Sequence, residues 1–223
     1  MAGKRQVSAA LLRSLVPPLW RTLPWRRLTT AAALGLLLAA STRLPSAAPD
    51  HELGLLVLRL TALAGALGLA FLLDDPARNT SATTPIGRPV RTALRLALAA
   101  PLAAVWWTAA LLLVPSPTRP PLAPVTLQAA AMAVGAVALA TVAIRFTDTA
   151  EVGRNTAIAL GTATATAILV PNRWGLLATP ADPWWQETQL RWAAVLMVTV
   201  GVLALWTPER LPRRSGHPSP SDV

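Results

Sequence analysis

The chain has 223 residues, of which 53% are hydrophobic and 13% are charged, and its formal net charge is +10. This composition is too apolar for a soluble domain of this length, and the apolar residues come in blocks rather than at amphipathic spacing. We therefore expect an all-α polytopic membrane protein, in which the positive charge follows the positive-inside rule and implies no nucleic-acid partner. Cysteine is absent, which excludes disulfides and thiolate metal sites.

Residues 1–27 form a basic segment in which apolar residues recur at roughly helical spacing, with Trp20 among them. A basic amphipathic segment of this kind lies in the plane of the lipid headgroups. The first strong apolar run begins only at Leu28, which is too late for the core of a cleaved signal peptide. We therefore predict an N-terminal interfacial helix that remains part of the mature protein.

Six apolar runs follow, and each is predicted to be a transmembrane helix. A helix of 21 residues rises about 31 Å, which matches the hydrocarbon thickness of a bilayer. The predicted spans are residues 28–42, 53–73, 94–114, 125–144, 156–170 and 192–206. Residues 28–206 therefore form a six-helix transmembrane domain, and residues 207–223 are predicted to be a disordered cytoplasmic tail.

The distribution of arginine and lysine orients these spans. With the N-terminus inside, fifteen basic residues fall on the cytoplasmic side and four on the outer connections. The outer four are Arg43, Arg119, Arg173 and Arg191. This bias predicts a multi-pass cell-membrane protein embedded in the lipid bilayer with both termini in the cytoplasm.

Two connections between the predicted spans stand out. The segment 74–91 follows span two abruptly and begins with two aspartates. Negative charge at the C-terminal end of a helix is disfavoured by the helix dipole, so these aspartates need a nearby cation. The charged residues of this segment are Asp74, Asp75, Arg78, Arg88 and Arg91. The connection 171–191 is long, apolar and interrupted by prolines, so it is either an interfacial lid or a re-entrant turn buried within protein.

The sequence contains few residues or motifs that would indicate an enzyme. No Gly-rich phosphate-binding loop of the type G-x-x-x-x-G-K-[ST] exists, and the two histidines, His51 and His217, stand in polar flanks. No Asp or Glu lies within a predicted span, which argues against an ion-coupled carrier because such carriers use intramembrane carboxylates. We expect no catalytic residue, no metal and no cofactor.

Arg59 is the only charged residue placed well inside a predicted span, about 9 Å from its outer end. Two interpretations stay open. In the first, Arg59 lines a cavity or a translocation path, because intramembrane charges are functional candidates. Alternatively it snorkels to the interface or pairs with an outer acid such as Asp50 or Glu52.

Three further residues are candidates for a translocation path. Trp106 and Trp107 lie in the middle of a span rather than at the interface where tryptophan is usual, and adjacent helical residues point about 100° apart. At least one of the two indoles is expected to pack in the bundle or line a cavity. Thr141 either lines a polar path or donates a hydrogen bond to its own helix.

The chain resembles one known family. Its second predicted span ends in the sequence Phe71-Leu72-Leu73-Asp74-Asp75-Pro76. Together with the basic N-terminal segment, the six spans and the long connection before the last span, this exit is similar to that of permease subunits of ABC-2-type ABC transporters. The resemblance is to small actinobacterial membrane subunits in particular.

The resemblance implies a function and partners. Residues 1–27 would be a connecting helix on the inner membrane surface, segment 74–91 would dock on a separate ATPase subunit, and residues 171–191 would form re-entrant helices. The candidate coupling residues are Asp74, Asp75, Arg78, Arg88 and Arg91. The chain would then be a non-enzymatic permease, expected to export, paired with an identical or related second permease. A non-transporting membrane scaffold or sensor subunit is the alternative from another class.

The predicted topology is testable because the chain has no native cysteine. Single cysteines on the outer connections should react with membrane-impermeant maleimide added to intact cells, and those on the inner side should not. The outer positions are Ser46, Ser116 and Thr179, and the inner positions are Ser81, Thr149 and Ser215. Labelling at Ser81 from outside would show that the topology with six spans and both ends inside is wrong.

Overall fold

The computed structural model describes residues 20, 24–44, 50–73, 88–146, 152–171 and 173–206. All regular secondary structure in this part of the chain is helical, which confirms the all-α prediction for it. The α-helices whose bounds lie within the described residues are α1 (Trp25–Ser41), α2 (His51–Ala70), α3 (Arg88–Leu113), α4 (Leu122–Phe146), α5 (Val152–Leu169) and α6 (Trp185–Trp206). Short 3₁₀ turns, Phe71–Leu73 and Ser116–Thr118, follow α2 and α3.

Each helix coincides with one predicted span, but only four of the helices described are long and apolar enough to cross a bilayer. These four segments are His51–Ala70, Ala93–Leu113, Leu122–Ile144 and Trp185–Leu205. The 17 residues of α1 are fewer than a typical span requires, and α5 carries Arg154 and Asn155 in its first turn. The described helices therefore support a helical membrane protein with four candidate spans, and the count of six stays a prediction.

Several helices begin earlier than the apolar runs suggest. The first turn of α3 includes Arg88 and Arg91, which the sequence placed in the basic connection. Pro89 fits in this turn because the backbone N–H that proline lacks would have no acceptor within the helix there. The helix α6 begins at Trp185, seven residues before the predicted start at Trp192, because the polar residues 186–189 are helical rather than part of the loop. The N-cap of α2 is Asp50, whose Oδ1 accepts the Glu52 N–H at 2.8 Å.

The described part of the connection 171–191 differs from what the resemblance implies. Residues 173–184 form turns and extended chain with no helix, and residues 185–191 belong to α6. Most of residues 1–23, most of segment 74–91 and residues 207–223 lie outside the described residues, so the interfacial helix and the tail stay predictions.

The centre of the bundle is α2. Of its candidate span, 56% of the residues are buried, against 33% for α4, 11% for α6 and 6% for α3. It packs against α1 on one side and α4 on another, and α4 in turn packs against α6. Small buried residues on α2, such as Ala62 and Ala66, allow its neighbours to approach closely.

Trp106 of α3 wedges between α1 and α2. A Cβ added at Gly35 would lie 2.5 Å from a ring carbon of this indole, and one added at Gly65 would lie 2.6 Å from another. The indole Nε1 donates a hydrogen bond to the Ala32 carbonyl at 2.9 Å. The flat ring therefore occupies the space that two missing side chains leave between the helices.

The wedge predicts opposite effects for two glycine substitutions. Gly65→Ala forces a methyl group against the rigid ring of Trp106, and we expect it to lower the free energy of unfolding by about 1–3 kcal/mol. Gly161 is the matched control, since a Cβ there has nothing within 4 Å and Gly161→Ala should gain up to about 1 kcal/mol from helix propensity. Thermal unfolding in detergent, followed by circular dichroism, compares the two. Equal stability of the variants would contradict the wedge.

Candidate functional site

The α5–α6 loop, residues 173–184, lies at the end of the bundle where α2 begins, which we call the loop end. The backbone carbonyls of an irregular segment lack the regular hydrogen bonds that a helix or a sheet would provide. Leaving these carbonyls unpaired away from water costs free energy. In this loop the partners are side chains of α2 and α6, and two of these donors, Arg59 and Trp192, are buried.

Arg59 reaches from α2 to the loop. Its Nη1 donates to the Leu177 carbonyl at 2.9 Å and its Nη2 donates to the Ala178 carbonyl at 2.7 Å. Its Nε donates to Oε1 of Gln128 on α4 at 3.0 Å, and the residue is 9% exposed. The planar guanidinium fork suits this task, because it places several donors in a fixed geometry. One side chain therefore joins α2, α4 and the loop.

The first turns of α6 hold the other face of the loop. Arg191 donates to the Gly175 carbonyl at 2.9 Å and to the Arg173 carbonyl at 2.8 Å, and it forms an ion pair with Glu187 at 3.1 Å. Trp192 Nε1 donates to the Leu176 carbonyl at 2.8 Å. The four consecutive carbonyls from residue 175 to residue 178 thus each accept a side-chain hydrogen bond.

A carboxylate orders the far side of the loop. Asp182 Oδ2 accepts the Thr179 N–H at 2.7 Å and the Thr179 hydroxyl at 3.2 Å. Its charge also acts on Arg59, although Arg59 forms no ion pair with a carboxylate in the part of the chain described. The buried cation is therefore stabilised by neutral acceptors, with Asp182 as the nearby opposite charge.

Two glutamines extend the contacts across the bundle. Gln128, which is 1% exposed, uses its Nε2 to donate to Oε1 of Gln189 on α6 at 3.4 Å. Beside this bond, Gln189 Nε2 and the Thr188 hydroxyl are buried without a hydrogen-bond partner in the described residues. Arg59, Gln128, Gln189 and Asp182, which we call the Arg59 cluster, link α2, α4, α6 and the loop.

The structure separates Thr141 from Arg59, and Arg59 does not use the acidic partners that the sequence suggested. Arg59 pairs with neither Asp50, which caps α2, nor Glu52, which is exposed. Thr141 donates to the Val137 carbonyl of its own helix at 2.8 Å and lies thirteen residues, about 20 Å, along α4 from Gln128. A common path through these residues stays a prediction.

Both tryptophans of the pair are packed and hydrogen-bonded within the chain. Trp106 forms the wedge described above. Trp107 is 9% exposed, packs in one apolar cluster with Leu55 and Leu58 of α2, and donates from Nε1 to the Thr126 hydroxyl at 3.2 Å. The two indoles therefore serve different helix interfaces, as the 100° rotation between neighbouring helical residues predicts.

The candidate coupling residues fall mostly outside the described part of the chain. Asp74, Asp75 and Arg78 are not described, and Arg88 and Arg91 are described only as backbone of the first turn of α3. Whether they interact with one another or with a partner subunit stays a prediction.

Sequence reasoning missed Gln128, although a signal was present. It is the only amide side chain between residues 125 and 144, and a polar group within an apolar helix needs a partner in a neighbouring helix. Arg95 of α3 is a second buried arginine, at 8% exposure, and it too makes polar interactions. Among the described residues, no group of three or more His, Asp or Glu side chains is placed to hold a metal ion.

The geometry predicts that Arg59 controls the order of the loop. Arg59→Leu leaves the carbonyls of Leu177 and Ala178 without donors, and each unsatisfied buried group costs about 1–3 kcal/mol. We expect the amides of residues 174–185 to exchange with deuterium at least about tenfold faster, since about 1.4 kcal/mol corresponds to tenfold. Exchange measured by mass spectrometry in detergent or nanodiscs gives the answer.

Arg119→Leu is the matched control, because Arg119 lies at the same end of the bundle and, among the residues that the structure describes, donates to the Val114 carbonyl of its own connection alone. Its loss should leave exchange in residues 174–185 unchanged. Unchanged exchange in Arg59→Leu, or equal acceleration in both variants, would contradict the anchoring role.

Comparison with known proteins assigns this chain to no family. No protein-family model, no curated protein and no solved structure matches it. What the Arg59 cluster does is therefore inferred from its own contacts and from the helix that carries it.

Proposed function

We propose that this chain is the membrane-embedded permease subunit of an ABC transporter of the ABC-2 type, driven by a separate ATPase subunit and acting as an exporter. The resemblance at the exit of α2 supports the assignment, and so does the presence of four helices apolar enough to span a membrane. The observation that carries the proposal is that one buried helix, α2, both binds the α5–α6 loop through Arg59 and leads into the charged segment after Leu73.

The connection runs through a single helix. At one end α2 continues into the 3₁₀ turn Phe71–Leu73 and the charged segment that would dock on the ATPase. Fourteen residues, or about 21 Å, before Leu73, Arg59 binds the backbone of the α5–α6 loop. Because α2 is also the most buried helix, a push on the charged segment would move the helix and the loop together.

A second permease fits the exposed faces of the helices. In α3 and α6, Val105, Leu112, Met197 and Val198 are large apolar side chains more than half exposed. Within a bilayer such surfaces contact lipid or another helical subunit. A substrate path at the interface between two permeases, identical or related, therefore uses surface that this chain leaves uncovered.

A specific observation favours the second candidate, a non-transporting scaffold or sensor subunit. Arg59, Trp106, Trp107 and Thr141 all donate hydrogen bonds to groups of their own chain. These packing roles explain why the four residues are present without requiring a translocation path. An ATPase measurement separates the two candidates.

The proposal predicts uncoupling when the two aspartates after α2 are removed. The permease should be co-expressed with an ATPase encoded beside its gene, purified as a complex and reconstituted in vesicles. We expect the wild-type permease to change the ATP hydrolysis rate relative to the ATPase alone, and Asp74→Ala with Asp75→Ala to keep the ATPase bound while returning the rate to that of the free ATPase. The physical reason is that the charged segment no longer holds a fixed angle to α2.

Asp50→Ala with Glu52→Ala is the matched control, since it removes two carboxylates from the other end of the same helix. This variant loses the N-cap, at a cost of about 1 kcal/mol, and should still couple. Absence of any associated ATPase would refute the transporter proposal and leave the scaffold candidate. Normal coupling in the variant without Asp74 and Asp75 would show that segment 74–91 is only a connector.

A further inference from the structure

A groove lies between α1 and α2 at the end of the bundle opposite the loop end. It has a volume of about 420 Å³, within the usual range for ligand sites of roughly 300–1,000 Å³. Its mouth carries Arg26 and Arg27, and its walls include Ala31, Leu34, Leu67 and Gly68. The groove is therefore basic at the end where α1 begins and apolar along the rest of its length.

The basic mouth is open to a ligand. Arg26 is exposed, and within the part of the chain described its guanidinium makes no hydrogen bond or ion pair, although its carbonyl accepts from Thr29 and Thr30. The first turn of α1 has neither a side-chain cap nor an acidic residue, so the positive end of the helix dipole adds to the arginine charge. Arg27 lies beside it, with its guanidinium 4.7 Å from the centre of the Phe71 ring.

The apolar part of the groove is shaped by a close approach of the two helices. A Cβ added at Gly68 would lie 2.8 Å from the Ala31 Cβ, so only glycine fits the floor here. Leu34 borders the groove with 54% of its surface exposed. From Arg26 to Leu34 the groove follows α1 for about 12 Å, along the antiparallel pair formed by α1 and α2.

We propose that this groove binds an anionic phospholipid, with the headgroup phosphate on Arg26 and one acyl chain along Ala31 and Leu34. Arginine binds phosphate through its planar fork, and basic pockets between membrane helices favour anionic headgroups. A soluble phosphate would leave the apolar walls uncovered, whereas a lipid matches both parts of the groove. The adjacent Arg27 disfavours the ammonium of a zwitterionic lipid. This inference does not depend on the transporter proposal.

The competing occupant is the chain's own N-terminal segment, which precedes α1 and lies mostly outside the described residues. Residues 1–23 contain Lys4, Arg5, Arg13 and Arg21 and no acidic residue. Placing this segment at a mouth formed by two more arginines brings like charges together. Charge complementarity therefore favours an anionic lipid over the segment.

Native mass spectrometry of the full-length protein tests the site. The protein is extracted from vesicles of equal parts phosphatidylglycerol and phosphatidylcholine, and the retained lipid is identified. We expect wild type to retain phosphatidylglycerol preferentially and Arg26→Gln to retain at least about fivefold less of it. Arg26→Lys should keep the preference, because the charge remains. Arg173→Gln is the control, since Arg173 is also exposed but lies in the α5–α6 loop at the other end.

Four results would overturn the proposal. Equal retention of the two lipids by wild type would mean that the groove does not select charge. The same loss in Arg173→Gln as in Arg26→Gln would mean that total charge decides. Displacement of the lipid by soluble glycerol phosphate would mean that the apolar groove contributes nothing. Retention only after deletion of residues 2–19 would mean that the chain's own segment fills the groove.

Discussion

The contact between Arg59 and the α5–α6 loop is the interaction on which the loop end depends. A loop packed against apolar helices needs a donor for each carbonyl, and the guanidinium supplies two of them while a third donor binds Gln128. The charge itself is tolerable because it faces three oxygen acceptors and lies near Asp182. The position of the loop therefore depends on Arg59 of α2 together with Arg191 and Trp192 of α6, and it is not determined by the residues of the loop alone.

Arginine plays the same part elsewhere at the loop end. Arg43 donates to the carbonyls of Leu112 and Leu113, which end α3, and Arg119 donates to the Val114 carbonyl beside them. Arg191 completes the set at the start of α6. Three of the four basic residues that the charge count places outside are thus bound to backbone carbonyls. Their presence on that side has a structural reason, so they do not weaken the charge bias that predicts the topology.

The sequence predicted the six helices because apolar runs of sufficient length leave little choice of structure. It misplaced the starts of α3 and α6, because Pro89 and the polar residues 186–189 are typical of a loop, whereas here they belong to the first two turns of a helix. Arg59 was recognised as unusual, but its acceptors were not. Backbone carbonyls more than a hundred residues away leave no trace in side-chain chemistry. Gln128 was recognisable in principle, since an amide within an apolar helix requires a partner.

The packing of α1 on α2 explains why a tight helix–helix contact and an open groove occur on the same pair of helices. Glycines at positions 35 and 65 accept the Trp106 ring at the middle of the pair, and Gly68 brings α2 against Ala31 one turn further on. Beyond that contact none of the described helices inserts between the pair, and the groove opens toward Arg26. A ligand in the groove therefore touches the same helix that carries Arg59 and that leads into the charged segment after Leu73. Lipid binding, the charged segment and the loop would then all act on the position of α2, so a change at any one of them has a physical route to the other two.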